Sequence, residues 1–190
     1  MSDTLQDVQS KFDSIPKIYG EPDYTQLKDL KDKLKANASK FANDLGGGAH
    51  GLLGLILTAI EYAHTSAVPF IRPVHPGPLT IPPGSTARAE SAIRDDHTRE
   101  IKSFHYVNNT DVALKKLITD AIDDEYLEEL RNDITNNIQD SIPDILTYLF
   151  QNYGEVDEDH LEAKSTRVKK LDYTPSEPIT NISKSIEDLQ

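Results

Sequence analysis

The residues of this chain whose types and spacing bear on chemistry are six histidines, two runs of carboxylates and one glycine-rich turn. The turn, Gly46-Gly47-Gly48-Ala49-His50-Gly51, satisfies G-x-G-x-x-G literally. A dinucleotide fingerprint also needs a strand before it, a helix after it and an acid about 20 residues further on for the ribose. Here a lysine-rich helical pattern precedes the glycines and residues 66–72 hold no acid, so the turn reads as a helix stop. No Gly-Lys-Ser/Thr follows, which excludes a phosphate loop.

The histidines (His50, His64, His75, His97, His105, His160) contain no i, i+4 pair, and no glutamate is placed between His97 and His105 as a zincin helix requires. Asp120, Asp123, Asp124, Glu125, Glu128 and Glu129 form one acidic run; Glu155, Asp157, Glu158 and Asp159 form another. A calcium loop from Asp157 would place Glu162 where its glycine belongs. Both runs read instead as solvated helix starts, where carboxylates meet the positive end of the dipole. There is no cysteine, no Gly-x-Ser-x-Gly and no Asp-Ser/Thr-Gly. The sequence thus assigns no catalytic residue, no cofactor-binding residue and no metal ligand. It leads us to expect a non-enzyme with no small-molecule substrate.

In composition, 20 Lys+Arg stand against 32 Asp+Glu, a net charge of −12. Such a balance repels nucleic acid and anionic membranes. No apolar run reaches the ~18 residues of a membrane span, and Met1-Ser2-Asp3 opens no signal-peptide pattern. The expectation is a soluble, cytoplasmic protein of one domain or two small lobes.

The apolar periodicity predicts an all-α fold. Residues 1–22 carry Leu5, Val8, Phe12, Ile15 and Ile18, interrupted by Pro16, Gly20 and Pro22, and read as a loose N-terminal arm. Tyr24–Phe41 reads as a helix capped by Asp23, with Leu27, Leu30, Leu34 and Ala38 on one stripe. Residues 50–57 read as a buried strand or as the lead-in to the short helix Thr58–Ser66, in which Ile60, Tyr62 and Ala63 are the expected buried contacts. Six prolines between Pro69 and Pro83 forbid a helix. That stretch keeps Phe70, Ile71, Val74, Leu79 and Ile81, so an ordered, extended strap is expected near residues 68–84. Helices are then predicted over Ser85–Val107, Asn109–Ile122 (capped by Asn109 or Thr110), Asp124–Ile138, Pro143–Tyr153, Asp157–Leu171 and Ile179–Leu189.

The order of these pieces carries a resemblance. Leu27-Lys28-Asp29-Leu30-Lys31-Asp32-Lys33-Leu34-Lys35-Ala36-Asn37 runs into the glycine turn, then Leu53-Gly54-Leu55, Glu61-Tyr62, Pro69-Phe70, Arg72-Pro73 and His75-Pro76-Gly77. Ala113-Leu114-Lys115-Lys116-Leu117-Ile118, Ile122-Asp123-Asp124-Glu125-Tyr126-Leu127, Ile145-Leu146-Thr147-Tyr148-Leu149-Phe150, Tyr153-Gly154, Pro178-Ile179 and Ile186-Glu187-Asp188-Leu189 follow. This series resembles the capsid region of the Gag polypeptide of copia-type LTR retrotransposons. The resemblance implies a helical capsid-like lobe over residues 23–139, strap included, and the start of a second lobe over 140–190. It also implies a structural protein whose copies self-associate into virus-like particles. Element RNA would be a partner only through regions absent here, because the family's Cys/His knuckle has no counterpart in this sequence.

In Pro143–Tyr153 the broad stripe of Ile145, Leu146, Leu149, Phe150 and Tyr153 exceeds what a short second lobe can bury. Tyr148, Phe150 and Tyr153 are therefore the candidate self-association surface. The alternative is a host helical adaptor domesticated from Gag, which binds a different protein through the strap.

The charge gives one prediction directly. No basic run exceeds Arg167-Val168-Lys169-Lys170, so the purified protein should bind single-stranded RNA weakly in a filter-binding assay. Submicromolar, salt-sensitive binding would reveal a basic face that the composition hides.

Overall fold

The computed structural model describes residues 4–41, 45 and 50–154. Five α-helices follow in order: α1 (Leu5–Ser10), α2 (Tyr24–Ser39), α3 (Ala59–Ala63), α4 (Ala87–Ala121) and α5 (Ile142–Tyr153). Tight 3-10 turns occupy Gly51–Leu55, Asp124–Tyr126 and Glu128–Leu130. Among the described residues the only β-type pairing is an isolated bridge between Arg131 and Ile138, and the fold is all-α. The expected helices Asp157–Leu171 and Ile179–Leu189, the basic run Arg167–Lys170 and the turn at Gly46–Gly48 lie outside the described residues. No described helix is long and apolar enough to cross a membrane.

Helix starts follow local side-chain chemistry. Asp23 accepts from the Gln26 N–H at 2.8 Å while the Gln26 side chain accepts from the Asp23 N–H at 3.0 Å, a reciprocal box that satisfies two orphan donors. Thr4 with Asp7 and Thr58 with Glu61 repeat the arrangement at α1 and α3. Ser141 caps α5, with Pro143 in the first turn where its missing N–H costs nothing. The expected strand-or-helix run at 50–57 resolves as the 3-10 turn that leads into α3.

Leu27, Leu30, Leu34 and Ala38 are buried along α2, which packs on both α4 and α5. Val107, Ala113, Leu114, Ile118 and Ala121 of α4, with Ile142, Ile145, Leu146 and Leu149 of α5, complete a single apolar cluster. α5, the start of the second lobe expected over 140–190, packs into the same cluster as α2 and α4, and residues 155–190 of that lobe lie outside the described residues. Ile60, expected to be buried, is 76% exposed on α3, and Tyr62 alone of that helix is buried.

The N-terminal arm is docked, contrary to the loose arm expected. Val8 is fully buried in the cluster. The Ile18 N–H donates to the carbonyl of Ala121 at 2.7 Å, satisfying an acceptor at the end of α4. Asn37, 1% exposed on α2, accepts from the Asp13 N–H (2.8 Å) and donates from Nδ2 to the Asp13 carbonyl (2.9 Å). A buried amide thus holds the arm's backbone by both of its polar groups. Lys17 pairs with Asp123 at 2.7 Å, and the rings of Phe12 and Phe41 meet edge-on at 5.3 Å.

Two expected helices are one. Residues 87–121 run without a break, and neither Asn109 nor Thr110 caps a second helix. The Thr110 hydroxyl donates to the Tyr106 carbonyl one turn back (2.8 Å), so a residue that competes for caps is satisfied inside the helix. The helix expected over Asp124–Ile138 does not form. After the two 3-10 turns, the Asn132 carboxamide oxygen accepts from the N–H groups of Ile134 and Thr135, both at 3.0 Å. Asn136 then takes a left-handed φ of 55°. This Asx turn wins over the helical stripe, and Ile134 is left 93% exposed at its tip.

Replacing Asn37 with Ala should lower unfolding stability by about 1–3 kcal/mol, because it strands the Asp13 backbone groups. Urea denaturation checks the size. A loss below about 0.5 kcal/mol, the range of neutral surface changes, would show that water substitutes for the clamp.

Candidate self-association surface

The three aromatic residues singled out from the sequence lie on α5, whose start is fixed by Ser141 and whose end is fixed by Gly154. The Gly154 N–H donates to the Phe150 carbonyl at 3.1 Å, and a Cβ at this glycine would press on that same carbonyl. Tyr148, Phe150 and Tyr153 are each half-buried. They do not form one patch.

Tyr148 and Tyr153 come together, their rings 6.3 Å apart, and Tyr126 meets Tyr153 edge-on at 5.2 Å. The Tyr148 hydroxyl donates to Glu129 Oε2 at 3.1 Å. Burial, followed by its hydrogen bonds with Tyr153 and Glu129, pushes the Tyr148 phenol well above its ordinary value. Burial raises Tyr126 as well, with help from Glu125. The cluster therefore ties α5 to the turns at 124–130 and is spent largely on internal contacts. Phe150 faces elsewhere. Its ring packs edge-on against Tyr24 at 5.7 Å, and it lines a shallow groove of about 420 Å³ with Ile56, Ile60, Pro143 and Leu146. The Lys31–Glu61 ion pair closes one side of that groove, and this pairing, with the Thr58 hydrogen bonds, outweighs burial to hold the Glu61 carboxyl below its ordinary range.

A second surface is built by the proline-rich segment and the first half of α4. The first buried residue of α4 is Val107, and no position from 87 to 106 is buried. The proline-rich segment runs antiparallel along this half of α4. Arg72 meets Asp111 (3.1 Å), the His75 ring packs on Phe104 (5.0 Å), and His97 Nε2 donates to the Gly77 carbonyl (2.9 Å). The Gly77 N–H in turn donates to His75 Nδ1 at 3.0 Å, across a left-handed glycine with φ 76°. Asp111 is only 4% exposed and also pairs with Lys115 at 3.4 Å. At the start of the segment, Phe70 lies against Gly54, where any Cβ would overlap the Phe70 side chain.

His75 and His97 take these packing roles, and His160 lies outside the described residues. His50 offers its carbonyl to the Tyr62 hydroxyl at 3.3 Å, and His105 stacks beside His75 and Phe104. Among the described residues no three His, Asp or Glu side chains come together to hold a metal. No protein-family model, curated protein or solved structure matches this chain.

The tyrosine cluster makes a signed prediction. Tyr148 has a folded pKa above the unfolded value of about 10, so its stabilising contribution is complete below that pH and is lost progressively as pH rises beyond it. Tyr148→Phe should remove one late step from the alkaline absorbance titration of the tyrosines. It should also flatten the fall of stability above about pH 10. Loss of a step at the ordinary phenol value, with the late part of the titration unchanged, would show that the cluster does not hold the phenol neutral.

Proposed function

We propose that this chain is a non-enzymatic structural protein of the Gag capsid type, from a copia-type retrotransposon, whose copies self-associate to build virus-like particles in the cytoplasm. One observation supports this reading above the others. The apolar positions of the motifs that carry the resemblance (Leu27, Leu30 and Leu34; Ala113, Leu114 and Ile118; Ile145, Leu146 and Leu149) converge in one buried cluster. Motifs spread over more than a hundred residues are thus parts of one packing unit, as a capsid lobe requires. The strap belongs to this reading as an extended element laid along α4, and the net charge of −12 disfavours element RNA as a direct partner. Copies of the chain are the partner, and the large aliphatic side chains left outside the core supply apolar area for such contacts.

Sedimentation velocity across a concentration series, with negative-stain microscopy of the most concentrated samples, tests this. Growth of higher-order species with concentration, and closed particles in the micrographs, is the expected result. A wild-type chain that stays monomeric at the highest attainable concentration would overturn it and favour the host adaptor reading.

A further inference from the structure

The groove beside Phe150 sets narrow terms for whatever fills it. Its floor is Ile56 and Leu146, both buried, and its walls are Ile60, Pro143 and Phe150. Ile60 lines it and is nevertheless 76% exposed. The rest of the lining is threonine, glutamine and the Lys31–Glu61 pair, whose charges neutralise each other. The wall on α5 runs from Pro143 to Gln151, about 12 Å along the helix. An occupant therefore needs an apolar row at least two helical turns long, with no charge along its edges.

The described chain ends at Gly154, three positions past Gln151, and residues 155–190 continue from there. Two rows in that continuation have helical spacings of 3, 4 and 3: Leu161, Lys164, Val168 and Leu171, then Ile179, Ile182, Ile186 and Leu189. The first carries a lysine, whose ammonium would lose its water against Leu146 and Phe150. The second is aliphatic throughout. At 100° per residue its edges are Ser183 and Ser185, while Lys184, Glu187 and Asp188 fall on the far side. As a helix the row measures about 15 Å, close to the length of the α5 wall. A helix this short is marginal in water by itself, so its apolar face needs a cover.

We propose that residues 179–189 of the same chain occupy this groove, with Ile179, Ile182, Ile186 and Leu189 laid against Ile60, Leu146 and Phe150. The mode is that of an amphipathic helix in an apolar groove, turned inward. Reach does not limit it: the 24 residues 155–178 connect Gly154 to the row, and even wound as a helix they span about 36 Å. The tether at Gly154 keeps the row at a local concentration on the order of millimolar. A second copy of the chain at micromolar concentration competes poorly against that. The inference does not depend on the self-association reading. It adds to it a condition, that Phe150 is withdrawn from partners until the chain's own C-terminal residues leave.

The chain has no cysteine, so two can be placed at will. In the full chain at low micromolar concentration, Ile60→Cys with Ile182→Cys is treated with a short bismaleimide. We expect a crosslinked monomer to form at least tenfold faster than with Ile134→Cys and Ile182→Cys, although Ile134 is the more exposed, at 93%. A synthetic peptide of residues 175–190 should bind the full chain carrying Ile182→Asp and Ile186→Asp at least tenfold more tightly than wild type, because only the variant leaves its groove open. Adding Ile60→Asp to that variant should abolish peptide binding while the melting temperature stays within a degree or two, the side chain being exposed. Equal crosslinking of the two cysteine pairs overturns the proposal. So does equal peptide binding by wild type and variant, or binding that survives Ile60→Asp. A covalent dimer in place of the crosslinked monomer also overturns it, and assigns the groove to a second copy.

Discussion

α4 passes from an exposed helix to a buried one over the turn that starts at Val107 and ends at Asp111. Its carboxylate is 4% exposed and is held by Arg72 from the proline-rich segment and Lys115 from the next turn of its own helix. A buried charge persists only where it is paired, and breaking such a pair is far more damaging than never having had it. Arg72 is therefore committed to this spot, and with it the start of the proline-rich segment. Everything beyond follows from that anchor: His75 reaches Phe104, Gly77 reaches His97, and the segment lies antiparallel to the helix. The same helix, below Asp111, supplies Ala113, Leu114, Ile118 and Ala121 to the core. One rigid rod of 35 residues thus serves two purposes, set apart by a single ion-paired carboxylate.

The other end of α4 is closed by chain that comes before everything else in the sequence. Ile18 satisfies the Ala121 carbonyl, Lys17 pairs with Asp123, and Asn37 grips Asp13 from α2. Mutual hydrogen bonding lowers the Asp123 carboxyl below its usual range, chiefly through Lys17. Residues 4–20 are consequently part of the folded body. They also bring residues more than a hundred positions apart into backbone contact, so the body closes only once both ends are in place.

A half-buried helix bears on function through what it leaves outside. Had the proline-rich segment been polar, residues 87–106 with their cover would be a solvated spur. Instead one row of that cover, Val68, Ile71 and Val74, is aliphatic and exposed. The aromatic residues of α5 behave in the opposite way. Their polar tips and ring edges are already engaged with Glu129, Tyr126 and Tyr24, so they stabilise the body more than they advertise it.

By itself the sequence determined the elements whose signals are local. The stripe and capping box of α2, the Ser-x-Pro start and glycine stop of α5, and the helix-free proline stretch depend on residues within four positions of one another. Only the tertiary structure decided the rest, because there the competition is between a local preference and a distant partner. Asn109 and Thr110 read as a cap until the Thr110 hydroxyl is seen to bond back within a helix held by core contacts on both sides. Asn37 reads as one more polar residue of α2 until Asp13, 24 positions away, meets it in the core. The region after Asp123 has a helical stripe, yet Ile134 is left in solvent because the Asn132 turn is satisfied sooner than a helix could be. In the strap a three-residue row such as Val68, Ile71 and Val74 is present in the sequence, but a row has no inside or outside until α4 lies against its neighbours. Periodicity fixes which side chains share a face; only a packed neighbour fixes which face is left for a partner.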